Sequence, residues 1–100
     1  MFVHIGNDYI INDKDIIAVF DIDNASISKR TRNFLKKAEE EGKIINVSSD
    51  IPRSFIVYKP KEKENKHIIY LSQLSSSTIF KRVKKEKGEI FYDNKKIYKE

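Results

Sequence analysis

His67-Ile68-Ile69-Tyr70-Leu71-Ser72-Gln73-Leu74-Ser75-Ser76-Ser77-Thr78-Ile79-Phe80-Lys81-Arg82 runs from a β-branched, aromatic segment through a serine cluster into a basic amphipathic one. Isoleucine and tyrosine suit a pleated, half-buried surface. Any of the three serines can accept a hydrogen bond from the free N–H groups of a following helical turn. The stretch therefore reads as strand, cap and cationic helix. Ile79, Phe80 and Val83 fall on one side of that helix, and Lys81, Arg82, Lys84 and Lys85 lie elsewhere on it.

Outward toward the N-terminus, Lys59 to Lys66 is a charged turn, and Ser54-Phe55-Ile56-Val57-Tyr58 is a strand that pairs back most simply as an antiparallel partner of 67–71. Pro52 cannot donate to a ladder, so it marks where that strand starts. Ile44-Ile45-Asn46-Val47 is a further strand. Helical spacing links Ile27, Thr31, Phe34, Leu35 and Ala38, with Ser26 or Ser28 as cap and Gly42 as stop. These five lie within a stripe of about 100°, and Lys29, Arg32 and Lys36 fall opposite. Glu39, Glu40 and Glu41 sit where carboxylates oppose the helix dipole.

Earlier still, Phe2-Val3-His4-Ile5 and Tyr9-Ile10-Ile11 flank Gly6-Asn7-Asp8, a hairpin pattern. Asp15 to Ile22 is nearly continuous in apolar and β-branched residues, as expected of a central strand covered on both faces. Beyond Lys87-Gly88, a small hairpin over 90–98 can turn at Asp93-Asn94 or Asn94-Lys95, and needs something to dock on. The aromatics Phe2, Tyr9, Phe20, Phe34, Phe55, Tyr58, Tyr70 and Phe80 occupy positions expected of core or half-core residues. Tyr58 and Tyr70 on an open sheet face would instead offer rings for stacking on unpaired bases.

One hundred residues with 39% hydrophobic content suffice for one modest core, so a single domain over 1–85 with an extension over 86–100 is expected. The class is α/β (α+β): a small antiparallel or mixed sheet, two helices and a C-terminal hairpin-like extension. The net charge of +5 is uneven, since residues 1–27 carry one Lys and five Asp and the remainder is basic. Such asymmetry gives a surface that collects phosphates through long-range attraction and counterion release. It equally suits a lysine-rich solvated surface.

The chain has no cysteine, which excludes disulfides and thiolate zinc sites and suits a reducing compartment. No basic leader precedes a long apolar stretch and no run approaches the ~18 residues of a membrane span, so a cytoplasmic protein with no membrane partner is expected. His4 and His67 sit in β-patterned runs without metal-ligand spacing. Asp21-x-Asp23-Asn24 lacks the glycine and terminal glutamate of a calcium loop and reads as turn chemistry. There is no Gly-x-Ser-x-Gly elbow and no glycine-rich phosphate loop. No enzyme activity, cofactor, metal or small-molecule substrate is expected.

Met1 to Ile11, Asp15 to Asp21, Pro52-Arg53-Ser54-Phe55-Ile56-Val57 and Leu71 to Thr78 together resemble the RemB (YaaB) branch of the RemA/RemB extracellular matrix regulator family. The resemblance covers residues 1–85 in order. It implies a compact α/β subunit of a bacterial regulator and, by analogy with the RemA branch, a ring-like homo-oligomer that binds DNA to control biofilm-matrix genes. RemA-type sequences carry paired arginines just before the strand matching 55–58 and an arginine leading the strand matching 16–20. Here those positions hold Asp50, Ile51 and Asp15. Arg53 remains, and Lys29-Arg30 resembles the Lys-Arg near the start of the family's helix. The candidate DNA-binding set is thus Lys29, Arg30, Arg32, Lys36, Arg53, Lys81, Arg82, Lys84 and Lys85. The rival expectation is an oligomeric protein-interaction module without DNA binding.

Overall fold

The computed structural model describes residues 1–25, 28–61, 66–83, 88–92 and 95–99. Residues 26–27, 62–65, 84–87, 93–94 and 100 lie outside the described residues, and with them the expected cap Ser26, the expected loop tip, Lys84 and Lys85, and the expected turn at Asp93-Asn94. The β-branched runs form β1 (Phe2–Gly6), β2 (Tyr9–Asn12), β3 (Ile16–Asp21), β4 (Ile44–Asn46), β5 (Ser54–Tyr58), β6 (Ile68–Ser72), β7 (Gly88–Tyr92) and β8 (Lys95–Lys99). The helices are α1 (Ile22–Ala25), α2 (Lys29–Glu40) and α3 (Ser76–Arg82), with one 3₁₀ turn at Asp13–Asp15.

A mixed sheet runs in the order β4-β6-β5-β3-β7-β8, and β1 and β2 form a separate two-stranded sheet. The antiparallel pairing of β5 with β6 is as expected, in register from Ser54↔Ser72 to Tyr58↔Ile68. β4 joins β6 in parallel, and β7 joins β3 in parallel through Ala18↔Phe91 and Val19↔Tyr92. The C-terminal hairpin therefore docks on the sheet edge. Ile90 is fully buried, and the Tyr92 ring stacks on Phe80 with centroids 4.3 Å apart.

Alternation along the strands sends side chains to two apolar clusters on opposite faces of the sheet. One face carries Ile16, Val19, Ile56, Tyr58 and Tyr70, covered by Val3, Ile5 and Ile11 of the hairpin and by Ile79 and Val83 from α3. The other carries Phe20, Phe55, Val57, Ile69 and Leu71, covered by Leu35 and Ala38 of α2 and by Ile22 and Ala25. The expectation of a central strand covered on both faces holds for β3. A register shift between Ile16 and Ala18 resets its alternation, so Ile16 and Val19 share a face despite being three residues apart. Each fully buried isoleucine contributes roughly 1.5–3 kcal/mol.

Serines anchor the layers. Buried Ser72 donates its hydroxyl to the Ile5 carbonyl at 2.7 Å and accepts from the Leu74 N–H at 3.0 Å, while Ser54 donates to the Leu74 carbonyl at 2.8 Å. At the hairpin tip, Asn7 donates to the Val47 carbonyl at 2.9 Å. Gly6 there has φ +125°, and an added Cβ would lie 2.6 Å from Gln73 Oε1 and 3.0 Å from Val47 Cγ1. Of the two expected caps, Ser28 accepts from the first turn of α2, and Ser75 caps α3 by accepting from the Thr78 N–H at 3.2 Å. Asp21 Oδ1 accepts from the Asn24 N–H at 3.2 Å, which is the turn chemistry expected of Asp21-x-Asp23-Asn24. Among the described residues no helix is long and apolar enough to cross a membrane.

Three expectations for aromatics need correction. Phe2 is 74% exposed because it sits on the outer side of the hairpin, whose inner side presents Val3, Ile5 and Ile11. Phe34 is 46% exposed because α2 rests on Leu35 and Ala38, which leaves residue 34 on the helix flank. Tyr9, 38% exposed, only edges into the core by meeting Tyr70 edge-on. Tyr58 and Tyr70 are buried between sheet and hairpin, in edge-to-face contact at 5.8 Å, so neither offers a face to a base.

Gly6→Ala is expected to lower stability by about 1–3 kcal/mol, from a strained φ and a blocked Cβ. Gly42→Ala, at φ +70° with open space around it, should cost about 1 kcal/mol. Urea denaturation midpoints of the two variants provide the comparison. Desolvation, then the neighbouring Tyr58 and Tyr9 phenols, raise the Tyr70 pKa above its ordinary value. Its contribution to stability is complete below the unfolded value of ~10 and is lost as pH climbs through the higher folded value. Wild-type stability should therefore fall in that alkaline window, and Tyr70→Phe should flatten the decline.

Candidate nucleic-acid interface

The candidate cations do not converge on one face. α2 covers one face of the sheet and α3 packs with the hairpin on the other, so Lys29, Arg30, Arg32 and Lys36 are separated by the sheet from Lys81 and Arg82. All six are exposed. On α2, helical spacing puts Lys29, Arg32 and Lys36 on the outward stripe and Arg30 on the flank beside Phe34. Arg53 is exposed at the start of β5, where its N–H donates to the Ser72 carbonyl and its carbonyl accepts from the Ile22 N–H. Lys84 and Lys85 lie outside the described residues.

Helix electrostatics separate the two groups. Lys81 and Arg82 occupy the last turn of α3, where the exposed carbonyls favour cations. Arg82 also donates through Nη1 to the His4 carbonyl at 3.0 Å, tying α3 to β1. These residues have a structural reason for their charge. In α2 the balance is the other way: its first turn holds Lys29, Arg30 and Arg32 with no acidic residue, and its last turn sets Glu39 and Glu40 against a single cation, Lys37. Each misplaced charge costs about 0.3–1 kcal/mol of helix stability.

Elsewhere, His4 and His67 are exposed, and among the described residues no group of three His, Asp or Glu side chains is placed to hold a metal ion. Where the family resemblance aligns paired arginines, the surface shows exposed Asp50, whose N–H donates to Ser48 Oγ at 3.0 Å, and Ile51, 86% exposed. Asp15 accepts from the Lys59 N–H through its carbonyl.

Two features escape a reading of the sequence. The first is an apolar outer face on the hairpin, where Phe2 and Ile10 (59% exposed) flank His4, which pairs with Ile10 across the ladder. The second is a pair of cavities beside α2 that share Phe34 and Val57 as walls. One, of about 270 Å³, is lined by Phe20, Arg30, Thr31, Phe34, Phe55 and Val57. The other, about 320 Å³, extends toward Lys37, Lys43, His67 and Ile69. The exposed Phe34, in a stripe whose Thr31 and Leu35 are half-buried and whose Ala38 is buried, is the sequence position that marks them, but its exposure depends on how α2 is rotated on the sheet.

A family model described as RemA-like, extracellular matrix regulatory protein A-like, matches residues 2–83. Extracellular matrix regulatory protein B of Bacillus subtilis (strain 168) is 34% identical over 82 residues, covering 82% of this chain and 89% of that protein. The match to the family model runs from β1 through α3, and β7 and β8 lie beyond it.

Lys29→Glu should raise stability by about 0.3–1 kcal/mol by giving the α2 N-terminus a favourable charge, and Arg82→Ala should lower it by a similar or larger amount. Thermal denaturation at low ionic strength reads both signs. Salt should shrink the gain from Lys29→Glu.

Proposed function

Because this chain belongs to the RemA-like family of extracellular matrix regulatory proteins, we propose that it is a non-enzymatic bacterial regulator that self-associates in the cytoplasm and holds DNA through lysine and arginine side chains. The observation that carries this reading is the reversed charge of α2. Lys29, Arg30 and Arg32 crowd the positive end of that helix at a cost to its own stability. A phosphate backbone alongside relieves this repulsion and gains from the dipole.

A single copy offers few phosphate contacts. Repeating the outward stripe of Lys29, Arg32 and Lys36 around a homo-oligomer multiplies them through effective concentration. A ring-like assembly, the arrangement that the RemA branch suggests, would carry these stripes on one rim. The cations of α3 face the other side of the sheet and take a smaller part. Binding of this kind is largely electrostatic and weakly dependent on sequence. The exposed hairpin residues Phe2 and Ile10 supply an apolar surface for self-association.

The same apolar surface supports the second reading, an oligomeric module that recruits another protein and leaves DNA alone. Duplex binding measured across a salt series separates the two. Binding should weaken steeply with salt, and Lys29→Gln, Arg32→Gln and Lys36→Gln together should reduce the slope of log K against log salt by about 2–3. Lys81→Gln with Arg82→Gln should change it less. Solution mass should fall on Phe2→Ser with Ile10→Ser. Absence of duplex binding at low salt would leave the protein-recruiting module standing.

A further inference from the structure

The cavity of about 270 Å³ between α2, β3 and β5 lies beside the outward stripe of α2, and Arg30, the one cation among its described lining residues, stands on the flank between them. Its floor is aromatic: the Phe20 and Phe55 rings stack with centroids 4.9 Å apart and planes 25° from parallel. Val57 continues that floor, and Phe34, with almost half its surface in water, forms an open wall. Of the lining residues, Arg30 and Thr31 bring the polar side-chain groups. The Arg30 guanidinium has no hydrogen-bond or ion-pair partner among the described residues.

This lining selects its ligand chemically. A sugar or a nucleobase would press several donors and acceptors against phenylalanine and leave them unpaired, which costs more than the burial returns. A plain hydrocarbon would bring nothing to the guanidinium. One planar carboxylate matches one guanidinium in charge and in two-pronged geometry, and an attached ring can lie offset against Phe20, Phe34 and Phe55. Size narrows the class: an apolar cavity of roughly 150 Å³ holds one benzene ring, so this one has room for about two fused rings. The carboxylate would also face the first turn of α2, which has no acid of its own.

We propose that this cavity is a binding site for a small aromatic carboxylate, its ring against the three phenylalanines and its carboxylate on Arg30. The probe is 2-naphthoate, with 2-naphthalenemethanol as a neutral compound of the same shape, titrated into ¹⁵N-labelled full-length protein. Amide shifts should concentrate at the six lining residues, and the alcohol should bind about tenfold more weakly, the loss of one charge-assisted contact. Arg30→Gln should remove that difference by weakening naphthoate alone. Phe34→Ala, at a half-exposed position outside the buried core, should weaken both compounds. Unchanged lining amides at millimolar naphthoate, equal binding of the two compounds, or undiminished binding to Arg30→Gln would each overturn the proposal.

Discussion

The structure depends on a sheet that is apolar on both sides. In β5, Phe55 and Ile56 are adjacent, point to opposite faces and are both essentially removed from water. A strand of that kind cannot end a fold on either side, so each face must be covered. The chain covers one with α2 and the short α1. It covers the other with the hairpin and α3, fastened by Ser72 to Ile5 and by Arg82 to His4. Everything that follows about charge is a consequence of that division.

The division also explains why two basic helices of similar appearance are not equivalent. In α3 the cations complete the helix: they sit at its carbonyl end and one is bonded to the hairpin. In α2 the same residue types stand at the wrong end. The molecule extends 32 × 26 × 26 Å, and the two groups lie across the sheet from each other. At physiological ionic strength that separation exceeds the screening length of about 8 Å. Direct electrostatic coupling between the two cationic surfaces across the sheet is therefore weak.

Much of the layout is legible in the residues themselves. Alternation and β-branching identify the strands, Pro52 marks the start of β5, and Ser75 announces α3. The antiparallel return of 68–72 onto 54–58 follows from the short connection. What is not legible depends on relations between distant segments. No local pattern tells that Phe2 faces outward and Val3 inward, because alternation states only that they differ. The bulge at Ile17 is invisible in a run where every residue is apolar. The rotation of α2, which exposes Phe34 and opens the cavity above Phe20 and Phe55, is decided by how Leu35 and Ala38 seat on the sheet. For the interface, the cationic residues could be named, but their assignment to opposite faces needed the sheet.

The connection between β4 and β5 brings these constraints together. Asp50 and Ile51 occupy the connection between β4 and β5, on a surface where a carboxylate repels phosphate and Ile51 is almost wholly in water. Neither residue offers a cation to phosphate there. α2 is a separate element, packed on the sheet through Leu35 and Ala38. The strain of its reversed dipole is a standing cost of up to about 1 kcal/mol per charge at the N-terminus. Substituting one basic residue there by an acidic one removes part of that cost without touching the core. Lys29, Arg30 and Arg32 nevertheless stand together there, with Arg53 at the start of β5 on a separate element, so the N-terminal turn of α2 concentrates positive charge that its own dipole disfavours.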